Sequence, residues 1–104
     1  MSRNINSMEA KELYDKGVKF IDVREKEEHD EICIPNTELI PLSEMQNRWQ
    51  EIPDAGDVVI YCRSGARSGN LINQLIGFDY SNLLNLEGGI IEWYQNNLPV
   101  EKHK

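Results

Sequence analysis

The stretch Val58-Val59-Ile60-Tyr61-Cys62-Arg63-Ser64-Gly65-Ala66-Arg67-Ser68-Gly69 decides the fold of this 104-residue chain. It begins with a nearly continuous run of β-branched and aromatic residues, which is typical of a strand covered on both faces. A loop of small and cationic residues follows. Apolar residues then recur at helical spacing as far as Gly77, at Leu71, Ile72, Leu75 and Ile76. The stretch therefore predicts a central parallel strand, a loop and a helix.

The segments before this stretch predict further alternation of helices and strands. Ser7 is expected to cap a helix over residues 8–16, and a strand follows over residues 18–23. Residues 33–42 contain two prolines and are expected to form a short edge strand or an extended loop. Ser43 and Gln46 fit a capping box for a helix that ends near Glu51. The charged run 24–31 is expected to be an exposed loop outside the core.

The last third of the chain predicts a short strand over residues 83–86 and a helix after Gly88-Gly89. Trp49, Trp93 and Tyr94 lie at helical positions and are expected in the core. Strands that alternate with helices indicate an α/β fold, with a mainly parallel sheet of about five strands and helices on both faces. The length suits one domain, residues 1–104.

Composition and charge narrow the range of partners. The chain has 18 acidic and 11 basic residues, for a net charge of −7, so nucleic acid and anionic membranes are not expected partners. The sequence shows no secretory leader and no apolar run approaching the ~18 residues of a membrane span, which predicts a cytoplasmic protein. An anionic substrate would need local positive charge to overcome the net field.

Cysteine and histidine usage gives no sign of a disulfide scaffold or a metal site. Cys33 and Cys62 are the two cysteines, and neither has metal-ligand spacing. Both thiols are therefore expected to be reduced. His29 and His103 each stand in charged stretches and are expected to be solvated.

Cys62 is the candidate nucleophile. It ends a buried strand, which is where ligand sites of open α/β sheets lie, and a glycine-containing turn leads from it into a helix. Successive amides in such a turn, together with the helix N-terminus and nearby cations, lower a thiol pKa. Arg63 and Arg67 supply those cations. The alternative is a cysteine that only ends a strand, beside two solvated arginines. Other phosphate-loop and hydrolase motifs are absent from the sequence, so cysteine is the nucleophile on offer.

Three motifs resemble the single-domain rhodaneses, a family of sulfurtransferases. They are Phe20-Ile21-Asp22-Val23-Arg24-Glu25, the loop Tyr61-Cys62-Arg63-Ser64-Gly65-Ala66-Arg67-Ser68, and Leu86-Glu87-Gly88-Gly89-Ile90-Ile91-Glu92-Trp93 followed by Leu98-Pro99-Val100. The resemblance covers nearly the whole chain. It implies a rhodanese-like domain that needs no metal or organic cofactor.

The resemblance also implies a mechanism and its residues. Cys62 would take the outer sulfur of a donor such as thiosulfate, become a persulfide, and pass that sulfur to cyanide, a thiol or a protein cysteine. The substrate-binding loop would comprise Arg63, Ser64, Gly65, Ala66, Arg67 and Ser68, with the two arginines on the anionic donor. Asp22 and Arg24 would be structural, although exposed charges at a strand end remain an equal alternative.

Two other functions remain as alternatives. Cysteine phosphatases and arsenate reductases share this kind of fold but carry Cys-x5-Arg, whereas this chain reads Cys-x4-Arg between Cys62 and Arg67. The tighter loop suits a sulfur atom better than a phosphoryl group. A non-catalytic docking module is the second alternative. Retention of Cys62 argues against it, because such modules commonly lack the cysteine.

The chain departs from the family pattern in one segment. Where the family usually reads Gly-His-Ile-Pro-Gly-Ala, this chain reads Ile32-Cys33-Ile34-Pro35-Asn36-Thr37. Cys33 is expected either to pack as a small apolar side chain or to lie near Cys62 and resolve a persulfide.

Overall fold

Strands and helices alternate along residues 3–102, which are the residues that the computed structural model describes. Within that range none of the helices has the length and apolar character needed to cross a membrane. The elements are β1 Arg3–Ile5, α1 Ser7–Asp15, β2 Lys19–Asp22, α2 Lys26–Glu31, β3 Glu38–Leu39, α3 Met45–Arg48, β4 Val58–Tyr61, α4 Ala66–Ile76, β5 Leu83–Leu86 and α5 Gly89–Gln95, with 3₁₀ turns at Leu42–Glu44 and Trp49–Glu51.

The five strands form one sheet in the order β1-β5-β4-β2-β3, and every pair of neighbours is parallel. The predicted parallel α/β fold is therefore confirmed, with β4 at the centre and all four of its residues buried. Strand β1 was not predicted from the sequence. This strand has no apolar pattern of its own, and it forms because residues 3–5 pair in register with residues 84–86 of β5.

Alternate residues of β4 point into two separate hydrophobic clusters. On one face, Ile60 and Cys62 pack with Leu71 and Leu75 of α4. On the other face, Tyr61 packs in a cluster with α1 and α5 that includes Trp93. Helices therefore cover both faces of the sheet, as predicted.

The aromatic residues divide between core and surface. Trp93 is completely buried, and its indole Nε1 donates to the Pro99 carbonyl at 2.7 Å. Trp49 is partly buried and stacks on Phe78. The expectation for Tyr94 is wrong, because its side chain is 49% exposed. Trp93 and Ile90 lie three residues apart on the buried face of α5, whereas Tyr94 follows on the solvent side.

Two of the predicted helix starts are wrong in detail. Asn6, not Ser7, caps α1, because its side chain accepts from the Glu9 amide while Glu9 reaches back to the Asn6 amide. The Ser7 hydroxyl instead donates to Glu92. The capping box predicted at Ser43 does not form, because the Ser43 hydroxyl and amide both donate to Glu25. The segment begins as a 3₁₀ turn.

The charged run 24–31 is more ordered than the sequence predicted. It contains α2, and Arg24 before the helix is only 3% exposed. Its guanidinium donates to both carboxylate oxygens of the fully buried Asp22 and to the Ile32 carbonyl. His29 also contacts Asp22, at 2.9 Å, and is not simply solvated. His103 lies outside the described residues. A charged side chain can join the core when its partner is buried with it.

We expect Arg24→Ala to lower the free energy of unfolding by about 3–5 kcal/mol, because it leaves the buried Asp22 carboxylate without its main partner. Urea titration followed by fluorescence measures this change. Arg24→Lys keeps the charge but not the two-pronged contact, and is expected to be intermediate. Lys11→Ala breaks the exposed pair with Asp15 and serves as the control. If Arg24→Ala lowered the free energy of unfolding no more than Lys11→Ala does, the structural role of the Asp22–Arg24 pair would be contradicted.

Candidate active site

The candidate site is the loop between β4 and α4, at the carboxyl edge of the sheet. Cys62 follows β4 directly, and Gly65 adopts a left-handed conformation, with φ +96°, immediately before α4. A Cβ on Gly65 would lie 2.0 Å from the Glu87 carbonyl oxygen. The Cys62 carbonyl accepts from the Ile90 amide. The loop is thus locked against the turn that precedes α5.

Three hydrogen-bond donors converge on the sulfur of Cys62. The Gly65 amide lies 3.2 Å from Sγ, and the amide and hydroxyl of Ser68 lie at 3.4 and 3.3 Å. The Cys62 side chain itself is buried. This arrangement favours a negatively charged sulfur, because each donor strengthens its bond when the thiol ionises.

The pKa of Cys62 reflects this balance. Burial alone would raise the pKa of the thiol, but the hydrogen bonds from the Ser68 side chain and from the backbone of Ser68, Gly65 and Ser64 lower it below its ordinary value. The sequence predicted the direction of the shift from the helix N-terminus and the two arginines. The local hydrogen bonds provide most of the physical cause.

The two loop arginines have different surroundings. Arg67 forms a two-pronged salt bridge with Glu28 of α2, with both N–O distances at 2.9 Å. This bridge lowers the pKa of Glu28 to about 2. Arg63 is exposed and, among residues 3–102, forms no salt bridge. The sequence did not indicate Glu28, which stood among several equivalent acidic residues.

A pocket of about 380 Å³ lies beside the loop. Arg63 lines it together with Ile91 and Tyr94, the exposed residues of α5, and with Glu28 and Glu31 from α2. The loop thus places a guanidinium that has no salt-bridge partner within residues 3–102 at a pocket with both apolar and acidic walls.

Asn85 belongs to this site and was missed by the sequence reasoning. Its amide oxygen lies 2.5 Å from the Ser68 hydroxyl, and its amide nitrogen donates to the Gly65 carbonyl. A signal was present, because Asn85 is the one polar residue in the strand Leu83-Leu84-Asn85-Leu86. An amide within a buried strand requires polar partners.

Cys33 is held by the C-terminal segment. It pairs with Glu101 in an antiparallel bridge, and its Sγ lies 4.0 Å from the Glu101 carboxylate. Its neighbour Ile34 packs in the cluster on the sheet face opposite to Cys62. Neither Cys33 nor Cys62 forms a disulfide in the described part of the chain. Asn36, which stands at a family glycine position, adopts φ 63°, a conformation that asparagine tolerates well.

No metal site is found in residues 3–102, where no three His, Cys, Asp or Glu side chains are grouped to hold an ion.

Known proteins resemble this chain in both sequence and fold. The family model described as a rhodanese-like domain matches residues 7–96. A sulfurtransferase of Allochromatium vinosum is 41% identical over 85 residues, which cover 82% of this chain and 79% of the relative. Thiosulfate sulfurtransferase 18 of Arabidopsis thaliana is 26% identical over an alignment of 111 positions, gaps included, which covers 93% of this chain and 82% of the relative. The chain spans less than half the length of four other curated relatives that it matches.

The solved structures agree. A rhodanese-related protein from Thermoplasma volcanium superposes with a TM-score of 0.87 at 30% identity, covering 95% of this chain and 97% of that chain. The α/β fold is thus that of a class of proteins to which named sulfurtransferases belong. The chain belongs to the rhodanese-like family, which confirms the resemblance carried by the three motifs.

We expect Ser68→Ala to raise the pKa of Cys62 by about one unit, since it removes a hydrogen bond that favours the thiolate. The rate of alkylation by iodoacetamide, measured against pH, reports the shift. Ser64→Ala is the matched control, because Ser64 contributes its backbone amide to the sulfur and keeps it. Equal shifts in the two variants would contradict the assignment.

Gly65→Ala is expected to destabilise the protein more than Gly56→Ala does. Both glycines have positive φ, at +96° and +78°, but only at Gly65 would the added Cβ meet another part of the chain. The backbone conformation costs about 1–3 kcal/mol in either variant, and the clash with Glu87 adds to it at Gly65. Urea unfolding of both variants tests this difference. A greater loss for Gly56→Ala would be the opposite of the expectation.

Proposed function

We propose that this protein transfers sulfane sulfur through a persulfide on Cys62, with thiosulfate or a similar anion as the donor. The observation that carries the proposal is the convergence of the Gly65 amide and the Ser68 amide and hydroxyl on the sulfur of Cys62. These donors stabilise a thiolate without any metal or separate base.

The proposed reaction has two steps. The Cys62 thiolate attacks the outer sulfur of thiosulfate, a new S–S bond forms, and sulfite leaves with the electron pair of the broken bond. An acceptor thiolate or cyanide then attacks the outer sulfur of the persulfide, and Cys62 leaves as a thiolate. The same hydrogen-bond donors stabilise that leaving group, so they serve both steps.

Arg63 is the loop guanidinium that we assign to the donor anion. It is exposed at the pocket and has no carboxylate partner among the described residues. Arg67 is committed to Glu28, so its proposed role is to position the loop rather than to bind the donor. Arg63 would give an approaching anion a local positive charge, against the repulsion expected from the net charge of −7.

We assign the pocket of about 380 Å³ that Arg63 lines to the sulfur acceptor, either a small thiol or a cysteine of a protein. Two cysteines that form no disulfide within residues 3–102 suit a reducing compartment, and we retain the cytoplasm as the proposed location. Phosphatase chemistry is less favoured. A phosphoryl group would require the arginine that closes the loop, and Arg67 is bound to Glu28 instead. The docking-module alternative does not account for the donors around the sulfur of Cys62, because a docking surface needs no stabilised thiolate.

Incubation of the reduced protein with thiosulfate is expected to add the mass of one sulfur atom, removable with dithiothreitol. Intact-mass spectrometry measures this gain. Cys62→Ser should abolish it, whereas Cys33→Ala should retain it. No gain in the wild-type protein would contradict the proposal, and phosphate release from p-nitrophenyl phosphate would then favour the phosphatase class.

Arg63→Ala is expected to raise the KM for thiosulfate about tenfold, with a smaller effect on kcat, because it removes a charge-assisted contact with the donor. Steady-state assays of sulfite release measure both constants. Arg63→Lys keeps the charge and should recover part of the loss. An increase in KM for Arg67→Ala with an unchanged KM for Arg63→Ala would contradict the assignment. Arg67 would then be the residue that binds the donor.

A further inference from the structure

The hydroxyl of Ser68 has more acceptors than it can serve. Its oxygen lies 2.5 Å from the amide oxygen of Asn85, 3.3 Å from the Cys62 sulfur and 3.3 Å from the Gly65 carbonyl. A serine hydroxyl carries one hydrogen, so it donates fully to only one of these atoms at a time. Ser68 and Cys62 are buried, and Asn85 is 4% exposed. Bulk water therefore does not supply a hydrogen bond to the acceptors that the hydroxyl leaves unserved.

The orientation of the Asn85 amide is determined by its neighbours. Its nitrogen lies 3.1 Å from the Gly65 carbonyl and 2.9 Å from the Asn4 side-chain oxygen. A carbonyl only accepts, so the NH₂ group of Asn85 must face Gly65, and the oxygen of Asn85 must face Ser68. The absence of a side chain at Gly69 permits this approach, because a Cβ there would lie 3.1 Å from the Asn85 nitrogen.

We propose that Asn85 is a positioning residue that holds the Ser68 hydroxyl away from Cys62 whenever the sulfur of Cys62 carries no negative charge. This inference rests on the proposed role of Cys62 as the nucleophile. In the thiol state, Cys62 donates to the Ser68 oxygen and Ser68 donates to Asn85. In the thiolate state, the hydroxyl turns to the sulfur, and the Asn85 oxygen loses its donor.

The persulfide returns the hydroxyl to Asn85. Once the outer sulfur is attached, Sγ is a neutral, two-coordinate sulfur and a weak acceptor. When the acceptor removes that outer sulfur, Sγ becomes a thiolate again and the hydroxyl turns back. Asn85 thus gives the hydroxyl a second place to bond at each stage of the cycle. Without Asn85, the buried hydroxyl would have to use the more distant Gly65 carbonyl, at 3.3 Å, as its acceptor in two of the three states.

The test is a double-mutant cycle on the pKa of Cys62, measured by the pH dependence of alkylation by iodoacetamide. Asn85→Leu is expected to lower that pKa by about half a unit to one unit, because the hydroxyl loses the acceptor that competes with the thiolate. In the Ser68→Ala background, most of this shift should disappear. Arg67, the charged group that interacts electrostatically with Cys62, is unchanged in all of these variants.

Two further variants separate positioning from folding. Asn85→Ala replaces Asn85→Leu if the leucine variant does not fold, and it is also expected to lower the pKa of Cys62. Asn4→Ala removes the outer contact of the Asn85 amide but leaves its oxygen on Ser68, and it should not move the pKa of Cys62. An unchanged or raised pKa in folded Asn85 variants overturns the proposal. So does an equal shift in both Ser68 backgrounds, since a purely structural role would act in both.

Failure of this inference is distinct from failure of the proposed function. Persulfide formation by the wild-type protein tests the proposed function. The pKa cycle tests the role of Asn85 and needs no sulfur donor.

Discussion

The group of donors around the sulfur of Cys62 is the interaction on which the rest of the site depends. An amide can point at that sulfur only if the backbone turns sharply after β4, and the turn is possible only with a left-handed residue at Gly65. The turn leaves the Gly65 backbone so close to Glu87 that no side chain fits between them. The geometry that activates the thiol therefore also determines how the loop packs on the turn before α5.

The charged residues near Cys62 differ in burial and in pairing. Asp22 and Arg24 form a buried pair at the end of β2, where each would be costly alone. Glu28 and Arg67 form a second, partly exposed pair that joins α2 to α4. Arg63 lies outside both pairs and lines the adjacent pocket, where it forms no salt bridge with any residue from 3 to 102. Pairing thus distinguishes Arg63 from the two arginines that are already held by carboxylates.

The polar network behind Cys62 extends the site to the edge of the sheet. Asn85 connects the Ser68 hydroxyl to Asn4 of β1, the edge strand. Each of these contacts satisfies a polar group that would otherwise be buried without a partner. The short N-terminal strand, which has no hydrophobic pattern, is therefore linked through side chains to the reactive loop.

Periodicity and local motifs in the sequence determined the parallel sheet, the central strand, the cysteine loop and the family, because these depend on neighbouring residues in the chain. Only the tertiary structure decided that β1 exists, that Arg24 is buried and that Tyr94 is not. It also decided that Glu28 takes Arg67 and that Asn85 competes for the Ser68 hydroxyl. The last two outcomes depend on residues that are far apart in the chain. Asn85 and Ser68 are 17 residues apart, and Glu28 and Arg67 are 39 residues apart. Local residue patterns do not specify which of several similar partners such a side chain meets, since that choice depends on how the elements pack.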